Sequence, residues 1–264
     1  MIVAAAAIAA QPARTSAALV APHPGQSVTQ TDLFGYLFVP PQPGDWLRYQ
    51  ITVNGELVVT KTIGFGSDET SSGRHAYLEI QTQTPGVTSL PVSGRSLAGG
   101  NITWKMFVDA PNFSDSLRSY SFAGGIIKIG DSFFRLGGGP TASQIASARQ
   151  SLPSLLMFGW LPMPDARDGT VLASTPEDLR VAGFTLHTVH TIVDFSRRSL
   201  GGGTGLPESE LETWQTTDVP LGLVRVEVRQ SGGVFSMNLI GFGRKSYREV
   251  ITKDITAVPY FPGS

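Results

Sequence analysis

Apolar and polar residues alternate with a period of two along most of the chain, which is the pattern of β-strands that bury one face. In the clearest case, charged residues alternate with three valines: Val224, Val226 and Val228. A run after residue 233 places three large apolar side chains on one face: Phe235, Met237 and Leu239. The two runs predict neighbouring strands of an antiparallel sheet with one apolar face.

Short turn signals separate the strand patterns. Asn54-Gly55 predicts a two-residue hairpin, because both residues tolerate positive φ. Gly130-Asp131 predicts a second tight turn of type II′. The segment 219–222, Val-Pro-Leu-Gly, suits a type I turn with Pro at its second and Gly at its fourth position. The stretch 178–195 reads as one long strand, bent at Gly183.

One segment carries a helical pattern. Ile145, Ala148 and Leu152 have helical spacing, and Pro153 then breaks or restarts the helix. The residues after it are strongly apolar and include Met157, Phe158 and Trp160. We expect a helical or lid-like insertion over residues 141–163. These side chains could cover a hydrophobic pocket, or they could fill the sheet as ordinary core.

The pattern predicts a single α+β domain, mainly β, over residues 44–256, with the insertion inside it. Residues 21–43 form a Pro-rich lead-in, and residues 257–264 form a C-terminal tail. Residues 1–20 read either as a signal peptide or as a disordered Ala-rich tail. A short apolar run ending in Ala7-Ile8-Ala9 suits signal peptidase, although no positive residues precede it. Export to the periplasm or the extracellular space is the favoured interpretation.

Composition excludes several classes of function. The formal net charge of the 264 residues is -1 and no basic stripe is present, so nucleic acid is not the expected partner. No other run of about 18 apolar residues predicts a membrane-spanning helix. The chain has 0 cysteines, which removes disulfides, thiolate catalysis and cysteine-ligated zinc. We expect a monomer without cofactor, metal or catalytic residues.

One pair of histidines and one row of three glutamates are candidates for a metal site. His187 and His190 have an odd separation, so on a strand they point to opposite faces and cannot share a metal ion. Glu208, Glu210 and Glu212 alternate and could bind a hard cation. A solvated sheet face or a charged edge is the more common role of such a row.

Two loop motifs resemble catalytic signatures only in part. Residues 94–98, Gly-Arg-Ser-Leu-Ala, lack the strand and helix that a serine nucleophile elbow needs. Residues 241–246 lack the spacing of a phosphate-binding loop. Trp46 and Trp214 fall on the polar parity of their strands. We expect each to be partly covered, with its indole N–H bonded, and not to stack on a ligand.

Three short motifs occur in order along the chain: Pro-Gly-Asp-Trp-Leu-Arg-Tyr at 43–49, Asp-Leu-Arg-Val-Ala-Gly-Phe at 178–184, and Thr213-Trp214 followed by Asp-Val-Pro-Leu-Gly-Leu-Val at 218–224. In these motifs the chain resembles a loose group of exported bacterial β-proteins of the LolA/LolB-like lipoprotein-carrier type. The resemblance implies a strongly curved antiparallel sheet, or half-open barrel, closed on its concave side by helices. In the carriers that concavity accepts acyl chains. No catalytic residue is implied.

The leading hypothesis is therefore a non-catalytic, exported envelope protein that binds a lipid, an acyl chain or another hydrophobic ligand in the concavity of a sheet. One alternative is an envelope scaffold or assembly protein that binds another protein. Another is a carboxylate-dependent hydrolase. An empty apolar cavity favours the first, a packed interior the second and a polar cleft the third. The residues expected to contact the ligand are Val224, Val226, Val228, Phe235, Met237, Leu239, Met157, Phe158 and Trp160.

Overall fold

The structure is a computed structural model. It describes residues 21–70, 73–86, 89–92, 95–98, 101–114, 119–120, 122–136, 150–151, 168–195, 209–230 and 232–259.

Within these residues nearly all regular structure is β. The single α-helix, α1, covers Gln30–Gly35, and a short 3-10 helix covers Ile255–Ala257. The strands are β1 Ser27–Val28, β2 Trp46–Val53, β3 Glu56–Thr70, β4 Gly73–Gln83, β5 Ser89–Val92, β6 Arg95–Ala98, β7 Asn101–Val108, β8 Ser119–Tyr120, β9 Phe122–Ile129, β10 Ser132–Leu136, β11 Gln150–Ser151, β12 Gly169–Val181, β13 Phe184–Asp194, β14 Ser209–Gln215, β15 Leu223–Gln230 and β16 Gly233–Gly243.

Twelve strands form one antiparallel sheet in the order β1-β12-β13-β14-β15-β16-β2-β3-β4-β7-β9-β10. Strands β12 to β16 are hydrogen-bonded to their neighbours in chain order, which is typical of a meander. The first and last strands of this order do not pair, so the sheet is not closed into a barrel. Two pairs of short strands, β5-β6 and β8-β11, lie outside it.

The Asn54-Gly55 turn is confirmed. Both residues have positive φ, 50° and 83°, and Val53 pairs directly with Glu56. Gly130 also has a positive φ of 57° between β9 and β10. Asparagine and glycine adopt this backbone at low cost, so the local sequence was sufficient to predict these turns.

The long strand predicted over 178–195 is wrong. Residues Ala182 and Gly183 both have positive φ, 50° and 87°, and form a tight turn that separates β12 from β13. Val181 pairs with Phe184 directly after the turn, and the antiparallel pairing of β12 with β13 continues from there. Alanine rarely adopts this backbone, so the residues at this position do not predict a hairpin.

The turn at 219–222 exists, but its type differs from the prediction. Gly222 N–H donates to the Val219 carbonyl over 3.1 Å, and Leu221 has a φ of 64°. Positive φ at the third position defines a type II turn. Leu221 is 2% exposed, and its N–H donates to the Val39 carbonyl over 2.8 Å. A tertiary contact thus holds leucine in a backbone region that its side chain disfavours.

The sheet is curved around one core. The tip of the β12–β13 hairpin contacts β16, although these strands are not neighbours in the sheet. At this contact the ring centroids of Phe184 and Phe242 are 5.8 Å apart. Val181 and Leu186 of this hairpin belong to the same core cluster as Met237. We call the sheet face that carries Met237 the inner face and the opposite one the outer face.

The lead-in contributes to this core. Leu33 and Phe34 of α1 are 0% and 1% exposed and belong to the core cluster, so this part of the Pro-rich segment packs into the domain. Thr29 begins the helix with a capping box, in which its side chain and that of Asp32 bond each other's backbone N–H groups. The helix is too short to show a clear apolar periodicity, so its burial was not evident from the sequence.

The predicted insertion at 141–163 lies outside the described residues, apart from Gln150–Ser151. Those two residues form β11, which pairs with β8, whereas a helix was expected there. The helical lid and the domain boundaries therefore stay predictions, and the part of the chain that is described is a β-sheet structure with little helix.

Candidate functional site

The alternating valines and their neighbours share the inner face, as their spacing predicted. Val226 pairs with Met237, and Met237 pairs in turn with Ile51 of β2. Five of the six predicted contact residues on β15 and β16 are between 0% and 4% exposed, and Phe235 is half-buried. These five are Val224, Val226, Val228, Met237 and Leu239. The other three predicted contacts, Met157, Phe158 and Trp160, lie outside the described residues.

Other parts of the chain cover this inner face. Leu33 and Phe34 of α1 belong to its core cluster, and the Gln215 side-chain amide donates to the Leu33 carbonyl over 2.9 Å. Tyr49 is fully buried, and its hydroxyl donates to the Leu223 carbonyl over 2.9 Å. Burial raises the pKa of this phenol, so it stays a donor. The inner face around Met237 is thus packed with the protein's own side chains.

Lys61 is the unexpected member of the inner face. It lies on β3 directly opposite Tyr49 and is 3% exposed. Burial lowers the pKa of its amine to about 7, because a charged group is costly away from water. The burial of Lys61 was not predicted, although its parity with Val59 and Ile63 is visible in the sequence.

A separate open cavity of about 350 Å³ lies beside α1 and β1. Its lining is mixed, and Asp32 in it is already bonded to Thr29 in the helix cap. The lining residues are Gln26, Ser27, Val28, Asp32, Gly35 and Tyr36.

The two histidines of β13 face opposite sides of the sheet, as predicted. His187 lies opposite Asp178 and its Nδ1 is 2.7 Å from the Asp178 carboxylate. The hydrogen bond to Asp178 raises the pKa of this exposed histidine. His190 lies on the outer face opposite Trp214. Within the described ranges, no group of three or more acidic or histidine side chains is arranged to hold a metal ion.

His190 is part of a cluster on the outer face. Its Nδ1 is 3.0 Å from Glu177 and its Nε2 is 2.9 Å from Glu212. The imidazole stacks on Trp214 with 4.0 Å between ring centroids, and Arg225 covers the indole at 4.5 Å. The Trp214 N–H donates to Glu177 over 2.9 Å. The indole N–H is bonded as predicted, but at 4% exposure Trp214 is more fully covered than expected.

The row of glutamates is neutralised by arginine rather than arranged around a cation. Arg229 donates to Glu212 over 2.8 Å and lies 3.6 Å from Glu210. It also contacts Glu227. Burial opposes the charge on Glu212, but bonds from Arg229 and His190 outweigh it and lower the pKa of this carboxyl. Glu208, the third member of the predicted row, lies outside the described residues.

The remaining motifs carry no site. Residues Arg95–Ala98 form strand β6, so Ser96 is not on a strand-to-helix turn. Gly241 and Gly243 end β16, and the chain then turns at Arg244 and Lys245. The Trp46 N–H donates to Ser246 over 2.9 Å, which again satisfies the indole as predicted.

Comparison with known proteins gives little guidance. No family model matches the chain, and no curated protein does. Among solved structures, a predicted lipoprotein from Parabacteroides distasonis is similar at 13% identity and a TM-score of 0.34, with 78% of this chain and 98% of the other covered. A predicted exported protein with a YmcC-like fold from Bacteroides fragilis is similar at 13% identity and a TM-score of 0.35, with 79% and 99% covered.

One further observation concerns membranes. Over the described ranges, no helix combines the length and apolar character that crossing a bilayer requires.

Proposed function

We propose that this chain is an exported cell-envelope protein with a non-catalytic role, acting as a scaffold or assembly protein that binds another protein. One observation carries the proposal: the inner face around Met237 is packed. A carrier needs an apolar cavity that its ligand can fill, whereas a scaffold uses its core only to hold the fold.

The open edge of β12 limits how a partner could bind to the sheet. The outer edge of β12 pairs with β1 only at Gly169 and Thr170, so most of this strand is an edge in the described structure. Pro176 and charged neighbours lie along this edge, which disfavours addition of a further strand. A partner would therefore dock on a face or on loops of the sheet rather than extend this edge.

Export is the second part of the proposal. It rests on the apolar N-terminal run with Ala7-Ile8-Ala9 and on the resemblance to exported β-proteins. When the gene is expressed in a Gram-negative host, we expect the protein in the periplasmic fraction. Its intact mass should be lower than that of the whole chain by the mass of the removed N-terminal apolar segment. Full-length protein confined to the cytoplasm would contradict export.

Binding of a hydrophobic ligand is the second candidate, favoured by one observation. Six predicted contact residues do share one continuous apolar face on the inside of a curved, open sheet. Carriage would require that a lipid or acyl chain displace side chains that now fill this face. Such a ligand would meet mostly apolar groups, so it would be held by burial with little selectivity.

Hydrolysis has less support. A hydrolase needs acidic groups that converge in a cleft without being neutralised. Where carboxylates converge in the described structure, as at Glu177 and Glu212 or at Asp68 and Glu249, they bond to histidine, arginine or lysine on a sheet face.

The test is native mass spectrometry of the full-length protein purified without detergent, followed by titration with a fluorescent fatty acid. The scaffold proposal expects the apo mass and no saturable binding. Lipid retained at about one molecule per chain, together with saturable fatty-acid binding that Met237→Ala changes, would replace it with the carrier function.

A further inference from the structure

The last described segment of the chain crosses the outer face of the sheet. We call residues 244–259 the C-terminal strap. It leaves β16 at Gly243 and passes over β3, β4, β7 and β9 to the edge strand β10, where the Pro259 carbonyl accepts the Arg135 N–H over 2.6 Å. It covers the half of the outer face that the His190 cluster does not occupy.

The strap begins with an aromatic side chain in a slot made by glycine. Tyr247 lies over Gly64 of β3, where an added Cβ would be only 2.0 Å from the Tyr247 ring. Its hydroxyl donates to Glu79 and accepts from the Gln81 amide at 2.9 Å. Burial and the Glu79 carboxylate raise the pKa of this phenol, which keeps it protonated as a donor.

Glu79 then binds the backbone of the strap. This side chain is 0% exposed, and its two oxygens accept the Val250 N–H at 2.8 Å and the Ile251 N–H at 2.9 Å. A buried carboxylate that receives two consecutive backbone N–H groups binds the bent main chain at Val250, whatever its side chains.

A buried lysine binds the acidic side chain of the strap. Lys105 of β7 is 2% exposed and bonds Glu249 of the strap at 3.0 Å, Asp68 at 2.6 Å and the Ile251 carbonyl at 3.3 Å. The Tyr77 hydroxyl donates to the same Glu249 carboxylate over 2.7 Å.

We call the surface beneath the strap, lined by Gly64, Glu79, Lys105 and Ile126, the groove. Its last contact is with an aliphatic side chain of the strap. Ile251 is 0% exposed and packs with Ile126 of β9 and with Val258, next to Phe133. The groove thus holds an aromatic, an acidic and an aliphatic residue at every second position of the strap: Tyr247, Glu249 and Ile251.

The groove cannot be left empty at low cost. Removal of the strap would take from Glu79 its three hydrogen-bond donors and from Lys105 one of its two carboxylates, and it would expose Ile126 to water. Asp68 would remain as the ion-pair partner of Lys105. Its hinge is nevertheless strained: Lys245 has a φ of 55°, a region unfavourable for a lysine. An equivalent segment that replaced the strap would restore every contact and could relieve this strain.

We propose that this groove is a peptide-recognition site, and that its alternative occupant is the same strap from a second copy of the chain. The complementarity is guaranteed, because the sequence that fits the groove in one copy is present in the other. The proposal rests on the scaffold function, for which it names the partner, and it goes beyond the monomer expected from the sequence.

A synthetic, labelled peptide of residues 244–254 tests the groove by fluorescence anisotropy with the full-length protein. The host variant Tyr247→Ala weakens the internal strap and should bind the peptide about tenfold more tightly than wild type. Arg248→Ala, at an exposed strap position, is the matched control and should behave as wild type. A peptide with Glu249→Lys should bind at least about tenfold more weakly, because it places like charge at Lys105.

Tyr247→Ala is first checked for a cooperative unfolding transition. If this variant does not fold, Glu249→Gln replaces it as the host protein for the peptide. Absence of saturable binding to a folded host would overturn the recognition site. Native mass spectrometry of mixed ¹⁴N and ¹⁵N chains tests the occupant, with mixed dimers expected. Peptide binding without mixed dimers would overturn the second copy as occupant. Neither failure bears on the lipid-binding test, so the scaffold function is judged separately.

Discussion

Replacement of Met237 by alanine tests whether the inner face is a packed core or a container. Met237 is 0% exposed and lies between Val226 and Ile51 on neighbouring strands. The change removes the side chain beyond Cβ, which forfeits its transfer free energy and leaves a cavity in tightly packed surroundings. Together these terms predict a loss of about 2–5 kcal/mol in the free energy of unfolding.

The loss is measured by urea denaturation followed by circular dichroism, with an unchanged slope and a lower midpoint as the expected signature. Asn238→Ala is the matched control, since this residue is adjacent on β16 but half-buried and opposite Arg225 on the outer face. It should cost about 1 kcal/mol or less. If Met237→Ala costs no more than its control, the inner face is not packed as described and the inference of a filled scaffold fails.

Three further predictions address a turn and two ion pairs. Gly222→Ala should lower the free energy of unfolding by about 2 kcal/mol more than Gly183→Ala. Both glycines have positive φ, but only at position 222 would an added Cβ lie 2.0 Å from a backbone oxygen. Equal urea midpoints of the two variants would refute this. The pKa of Glu212 is lowered on folding, so its contribution is present above the unfolded pKa and lost as pH falls through the folded one. Between about pH 7 and about pH 3, the free energy of unfolding should therefore fall less steeply in Glu212→Gln than in wild type. The same pH dependence in both proteins would count against the role of the Glu212 ion pairs. Asp178→Asn should lower the pKa of His187 towards that of a free histidine in NMR titration, and an unchanged midpoint would remove Asp178 as the cause.

Local sequence was most informative where the chemistry of a turn or a face depends on neighbours in the chain. The Asn54-Gly55 hairpin and the shared face of Val226 and Met237 were both predicted, because glycine tolerance of positive φ and the period of two act over a few residues. The opposite faces of His187 and His190 follow from the same period.

Predictions failed where strand pairing or a distant contact sets the backbone. Ala182 enters a tight turn that its own preference disfavours because β12 and β13 pair on either side of it, and Leu221 is held at positive φ by burial and by a bond to Val39. Neither the pairing nor the Val39 bond leaves a trace in the local pattern. The outer-face groove was missed for the same reason: Glu79, Lys105 and Tyr247 are far apart in sequence, and only strand register and the path of the strap bring them together.

The sequence by itself determined that the chain forms an antiparallel β structure with an apolar face, because alternation of side chains along a strand is a property of the covalent chain. Only the tertiary structure decided what that face meets. Curvature brings the β12–β13 hairpin back to β16, and α1 lies against the same core, so the valines contact the protein itself. The tertiary structure also decided that buried charges on the outer face are balanced, since burial and pairing depend on which strands become neighbours.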